Sequence, residues 1–113
     1  MKKKYRVKKN EEIIDLLKNK KTVGDKYFVI YSLENKEVNN FRYALSVNKK
    51  YGNAPERNLI KRQVRSIIQM NSDNFKKTDI FIVIKLKAKE LNYKEIEQKI
   101  TRLIKRANLI KEE

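Results

Sequence analysis

Cysteine and histidine are both missing from this 113-residue chain. Without cysteine there is no disulfide framework, no thiolate zinc site and no thiol nucleophile. Without histidine the commonest general base and the commonest metal ligand are gone as well. Two glycines and one proline, with no low-complexity segment and no internal repeat, argue against flexible linkers and modular arrays. No apolar run approaches the roughly 20 residues that span a bilayer, and no signal-type apolar region follows the basic N-terminus. These absences point to a soluble, cytoplasmic protein with no membrane partner. Acidic side chains are scarce too, and most sit at helix starts or between Lys and Arg. Glu11, Glu12 and Asp15 form the densest group, read as the first turn of a helix complementing its dipole. Nothing resembles a two-metal site, so no residue is assigned as catalytic or as a metal ligand.

What is present is positive charge. Lys and Arg number 29 against 14 Asp and Glu, a net charge of +15. A field of that sign attracts polyanions, nucleic acid first among them. The length fits one domain, residues 1–113, since domains commonly run to roughly 100–150 residues. A hydrophobic content of 40% supplies a modest core.

The most informative share of that charge lies between Ser46 and Arg65, SVNKKYGNAPERNLIKRQVR. A basic turn carrying Lys49 and Lys50 leads into a one-sided basic helix. At about 100° per residue, Arg57, Asn58, Lys61, Arg62 and Arg65 fall within an arc of about 140°. Leu59, Ile60, Val64 and Ile67 fall on the other side, to dock on a core. Lys49, Lys50, Arg57, Lys61, Arg62 and Arg65 suit phosphate contacts, and Asn58 both donates and accepts hydrogen bonds beside a backbone or a hydrated metal. Six cations with Glu56 as the only acid among them exceed what a merely solvated helix face requires.

Around this segment helices and strands alternate. Asn10 caps a short helix that reaches Lys18, with Ile13, Ile14, Leu16 and Leu17 as its apolar set. YFVIYSL at Tyr27–Leu33 and FRYALSV at Phe41–Val47 read as strands, joined as a hairpin through Glu34–Asn40. Thr22 and Val23 supply a short edge strand. The basic helix runs from Pro55 to Met70. DIFIVIK at Asp79–Lys85 is apolar at consecutive positions, as in a strand covered on both faces. Asn92 with Glu95 opens a last helix, whose buried stripe is Ile96, Ile100, Leu103, Ile104 and Ala107. The extreme ends, Met1–Lys4 and Lys111–Glu113, are expected to fray.

KKYGNAPERNLIKRQVR at Lys49–Arg65, the earlier KKNEEIIDLLKN and the strand YFVIYSL together closely resemble the protein subunit of bacterial ribonuclease P, the ribonucleoprotein that removes the 5′ leader of precursor tRNA. The likeness runs through nearly the whole chain in order. The family signature reads Arg-Asn-Arg followed by basic positions; Arg57, Asn58, Lys61, Arg62 and Arg65 match it, and Leu59 stands at the second Arg. The resemblance implies an α/β (α+β) fold: a small two-layer sandwich with a four-stranded sheet, shared with a ribosomal-protein domain. It also implies a left-handed crossover from the Phe41–Val47 strand through the basic helix to Ile80–Ile84, against the usual right-handed rule.

The resemblance further implies that the RNA subunit holds the catalytic magnesium ions while the protein binds and orients. It places a groove for the single-stranded leader at Ile13, Leu17 and Tyr31. Many relatives carry Phe at the first two, so the grip here shifts to Tyr31, aliphatic contact and the cations Lys8 and Lys9. Taken alone, Ile13 and Leu17 are equally well ordinary core. In the Tyr27–Leu33 strand, Tyr27, Val29 and Tyr31 share one face, Phe28 and Ile30 the other. Tyr43 and Tyr51 read as packing or rim residues, and Ala44 and Ser46 suit either a close RNA backbone or close helix packing. The resulting expectation is a protein cofactor of a tRNA-processing ribozyme, whose partners are the ribonuclease P RNA and precursor tRNA. A non-enzymatic RNA-binding protein, such as a ribosomal protein or RNA chaperone, shares the charge and could share the fold. A DNA-binding helix-turn-helix is weaker, because the basic helix sits between strands.

Overall fold

The structure, a computed structural model, describes residues 21–34 and 40–111. The expected first helix, with Lys8, Lys9, Ile13 and Leu17, lies outside them, as does most of the Glu34–Asn40 connection.

Four strands form one mixed sheet: β1 (Lys21–Gly24), β2 (Phe28–Glu34), β3 (Arg42–Val47) and β4 (Thr78–Ile84). Two helices follow β3 and β4 respectively, α1 (Ala54–Met70) and α2 (Tyr93–Arg106). The β1–β2 turn is held by Asp25, whose Oδ1 accepts from the backbone N–H groups of Tyr27 at 2.8 Å and Phe28 at 2.9 Å, an Asx-type closure. The expected edge strand at Thr22 and Val23 is present as β1.

Strand order is β1-β2-β4-β3, with β2 and β4 antiparallel and β3 and β4 parallel. The expected hairpin between the second and third strands is therefore not formed, because β4 stands between them. The consecutive apolar residues of β4 favour the central place, where both of its edges are paired. Its parallel pairing with β3 in turn needs a long crossover, and α1 is that connection. Coverage of β4 is uneven: Ile80, Ile82 and Ile84 are buried, while Phe81 and Val83 are half-buried.

The helices cover the face that carries Phe28, Ile30, Tyr43, Ile80, Ile82 and Ile84. Both begin with a reciprocal capping box. Asn53 Oδ1 accepts from Glu56 N while Glu56 Oε1 accepts from Asn53 N, and Asn92 and Glu95 repeat the arrangement. Each box satisfies two N–H groups that the helix itself leaves unpaired. The stripe expected for the last helix, from Ile96 to Ala107, is buried throughout. Lys21 Nζ donates to Ala107 O at 3.1 Å, tying the edge strand to the end of α2. After α2 the chain returns to the core: Phe75 bridges Ile110, and Lys76 N donates to Leu109 O at 2.8 Å. Lys111, expected to fray, is pinned through its N–H to Asn74 O at 2.7 Å.

Candidate RNA interface

The basic turn is built on one buried aromatic ring. Asn48 caps a 3₁₀ turn at Lys49–Tyr51, its Oδ1 accepting from Lys50 N at 2.8 Å. Tyr51 is buried, and Lys49 and Lys50 are left exposed. Burial pushes the Tyr51 phenol up; the Lys89 ammonium pulls it down and Glu56 pushes it up further. Gly52 follows, and a Cβ there would meet Glu56 Oε1 at 2.7 Å. The missing side chain is thus what lets Glu56 fold back onto Asn53. Lys89 Nζ sits 3.0 Å from Glu56 Oε2. Hydrogen bonding to Lys89, then to the Asn53 N–H, holds the Glu56 carboxyl below its usual range.

Along α1 the cations differ in how firmly they are held. Arg57 donates from Nη1 to Gly52 O at 2.7 Å, locking the helix to the turn before it. Arg57, Lys61 and Arg65 are half-buried along the border of the docked face, whereas Asn58 and Arg62 are exposed. The basic arc and the apolar arc are therefore adjacent rather than opposed. The buried set is Ile60, Val64, Ile67 and Ile68. Leu59, expected on the apolar side, is instead 49% exposed; it lies about 80° beyond the edge of that set, and Ile68 takes its place. Arg65 Nε is buried without a hydrogen-bond partner among the described residues. The nearby Tyr43 phenol is pushed up by burial, with Gln69 and Arg65 offsetting part of the effect, though its oxygen makes no hydrogen bond of standard geometry. Tyr43 and Tyr51 are thus both packing residues, as expected.

A second surface is the sheet face opposite the helices. Strand register aligns Thr22, Tyr31, Phe81 and Ala44 in one row and Gly24, Val29, Val83 and Ser46 in the next. Tyr31 and Phe81 meet with ring centroids 6.2 Å apart and planes tilted by 37°. The division of Tyr27–Leu33 is as expected, with Phe28 and Ile30 buried and Tyr27, Val29 and Tyr31 half-buried. At one end of this face Arg42 clamps Asp79 through two hydrogen bonds of 2.8 Å. At the other end an open groove is lined by Lys26, Lys85 and Lys87 over Val83, Ser46 and Leu86, and reaches Asn48. Because Asn48 is also the cap of the basic turn, the two cationic surfaces are continuous.

Residues 1–108 match the family model described as Ribonuclease P. The chain belongs to the ribonuclease P protein family. It is 36% identical over 109 residues to the ribonuclease P protein component of Staphylococcus epidermidis, covering 96% of this chain and 95% of that one. The component from Phytoplasma australiense is 41% identical over 111 residues, covering 97% and 96% respectively. Among solved structures, the Staphylococcus aureus ribonuclease P protein superposes with a TM-score of 0.90 at 33% identity, covering 95% of this chain and 98% of that one. The fold is therefore the α+β sandwich of ribonuclease P proteins, and the chain is a subunit type that forms part of an endoribonuclease.

Within the family frame, Lys49, Lys50, Arg57, Asn58, Lys61, Arg62 and Arg65 all lie on the basic turn or on α1. Tyr31 lies on the sheet face opposite α1 and α2. Phe81, Lys26, Lys85 and Lys87 were not singled out from sequence. Phe81 was legible in the alternation of DIFIVIK, provided the antiparallel register with Tyr31 was known. The three lysines belong to separate turns, which no local pattern joins. Among the described residues no group of three acidic side chains gathers in a geometry for a metal ion.

Proposed function

We propose that this chain, as one domain over residues 1–113, is the ribonuclease P protein component of a cytoplasmic ribonucleoprotein that removes the 5′ leader of precursor tRNA. The basic turn and α1 bind the RNA subunit through phosphates, with Lys49, Lys50, Arg57, Lys61, Arg62 and Arg65 as the cations and Asn58 between them. The sheet face opposite α1 and α2 holds the single-stranded leader at Tyr31, together with Ile13, Leu17, Lys8 and Lys9. The observation that carries this reading is the continuity of the two surfaces at Asn48: a strand leaving the aromatic row passes lysines before it meets the helix.

Magnesium-dependent hydrolysis belongs to the RNA in this reading. Two carboxylates near these surfaces are already engaged, Asp79 by Arg42 and Glu56 by Asn53 and Lys89. The protein's part is to screen phosphate repulsion, which reduces the magnesium needed for assembly. Reconstitution with a bacterial ribonuclease P RNA at low magnesium tests it. Cleavage of precursor tRNA should rise well above that of RNA alone, and the protein alone should cleave nothing. No stimulation over RNA alone would remove the reading.

A further inference from the structure

Three of the four large hydrophobic side chains left exposed among the described residues stand together: Leu59 and Met70 on α1, and Tyr93 at the start of α2. Tyr93 reaches α1 at Ser66, its hydroxyl 3.2 Å from Ser66 Oγ. On α1, Leu59, Gln63, Ser66 and Met70 follow one another at i, i+4, i+7 and i+11, within an arc of about 60°. That is the spacing of a coiled-coil seam. No charge falls inside this strip, although the chain carries +15. Arg62 lies about 40° beyond one edge, and Glu56, paired with Lys89, lies beyond the other. A phosphate backbone therefore finds no cation within the strip. Its residues also read alike from either end, with apolar Leu59 and Met70 at the tips and polar Gln63 and Ser66 between them. A hollow lies beside each tip, one lined in part by Tyr51, Ile60, Gln63 and Leu91, the other in part by Arg62, Ser66 and Met70.

We propose that this strip is a self-association surface, on which α1 of a second copy lies antiparallel with its axis about 20° off. A surface that matches itself after a two-fold rotation is what an isologous dimer needs. The two-fold axis passes between Gln63 and Ser66. Leu59 of each copy then faces Met70 of the other and enters the hollow beside it. Across the axis the Gln63 amide of one copy donates to the Ser66 hydroxyl of the other. The two Arg62 side chains stay about 7–8 Å apart along the helix, so no like charges meet directly. A single helix pair buries less than the roughly 1,200–2,000 Å² of a standard interface, and two chains of this charge repel. Association is therefore weak at low salt and strengthens as salt screens the repulsion, the opposite of RNA binding.

Sedimentation equilibrium of the full chain at low and high salt, together with disulfide trapping, tests it. Wild type should self-associate, more tightly at high salt, and Leu59→Ser should weaken association by about 10-fold or more with the melting temperature unchanged. Because the chain has no cysteine, an introduced thiol has only its counterpart on another copy to pair with. Under oxidation a mixture of Leu59→Cys and Met70→Cys should give the mixed disulfide. Leu59→Cys alone should not cross-link, since two copies of position 59 lie about 16–17 Å apart along the helix, beyond disulfide reach. A monomer at every concentration and salt overturns the proposal, as does Leu59→Cys pairing with itself as readily as with Met70→Cys. Unchanged association in Leu59→Ser beside weaker binding of a bacterial ribonuclease P RNA, at an unchanged salt slope, also overturns it and gives the strip to RNA.

Discussion

Replacing Tyr31 with Ala is the sharpest test of the sheet face opposite the two helices. The ring lies in the second strand of the row, with Phe81 as its cross-strand neighbour at 6.2 Å. A base stacked on an aromatic side chain contributes about 1–3 kcal/mol, which is about 5- to 150-fold in affinity. Phe81 stays in place after the substitution and keeps part of the apolar platform. The loss should therefore fall toward the lower end, about 5- to 20-fold, and Tyr31→Ala with Phe81→Ala should exceed either single change. The ligand is precursor tRNA on the assembled ribonucleoprotein, and mature tRNA, which lacks the leader, is the internal control. Tyr31→Phe preserves the ring and should retain most of the discrimination. An equal loss for precursor and mature tRNA, with the melting temperature unchanged, would show that the aromatic row does not touch the leader.

Arg62→Ala removes an exposed cation and should lower the slope of log K against log salt for the RNA subunit by about 0.7–0.9 without changing stability, whereas Arg57→Ala, which also loses the bond to Gly52 O, should lower both the slope and the melting temperature. Asp79→Asn leaves the half-buried Arg42 guanidinium without its carboxylate, so urea unfolding should show a loss of about 1–3 kcal/mol, partly restored when Arg42→Met is added; full stability in Asp79→Asn would mean that the pair contributes nothing. Because the Glu56 carboxyl is held below its ordinary value of 4.5, its contribution is complete above that pH and is lost as pH falls through the lower folded-state value. Melting curves of Glu56→Gln should therefore converge with wild type in acid and lie below it near neutral pH, and a constant gap across that range would assign the loss to something other than ionisation.

Local patterns carried the elements well and their neighbours poorly. The start and the buried stripe of the last helix were legible, because a capping pair and a one-sided stripe from Ile96 to Ala107 are both local signals. The basic helix was legible in extent, yet Leu59 and Ile68 exchanged places, since the direction in which a helix docks is set by its partner and not by its own periodicity. Strand pairing was misread for the same reason. Phe41–Val47 follows Tyr27–Leu33 closely in sequence, and nothing within either announces that a third strand from beyond residue 77 lies between them. At the candidate site, the turn and helix cations follow one another closely in sequence, so their placement on the basic turn and α1 was legible. Phe81 and the lysines at 26, 85 and 87 become neighbours only through that late pairing.

The central position of β4 also governs when this molecule can come into existence on the ribosome. Phe28 pairs with Ile84 across 56 positions of chain, and β3 has no described strand neighbour other than β4. Until residues 78–84 have emerged, β2 presents an open edge and the core residues Phe28, Ile30 and Tyr43 lack their central partner. The basic segment, by contrast, is synthesised before β4 and carries its own cap in Asn53 and Glu56. Its cations are thus available to nascent or mature RNA while the sheet is still incomplete. Loop closure over so many residues slows folding, and a polyanion gathered early on α1 would lower the repulsion among cations that the finished domain must hold together.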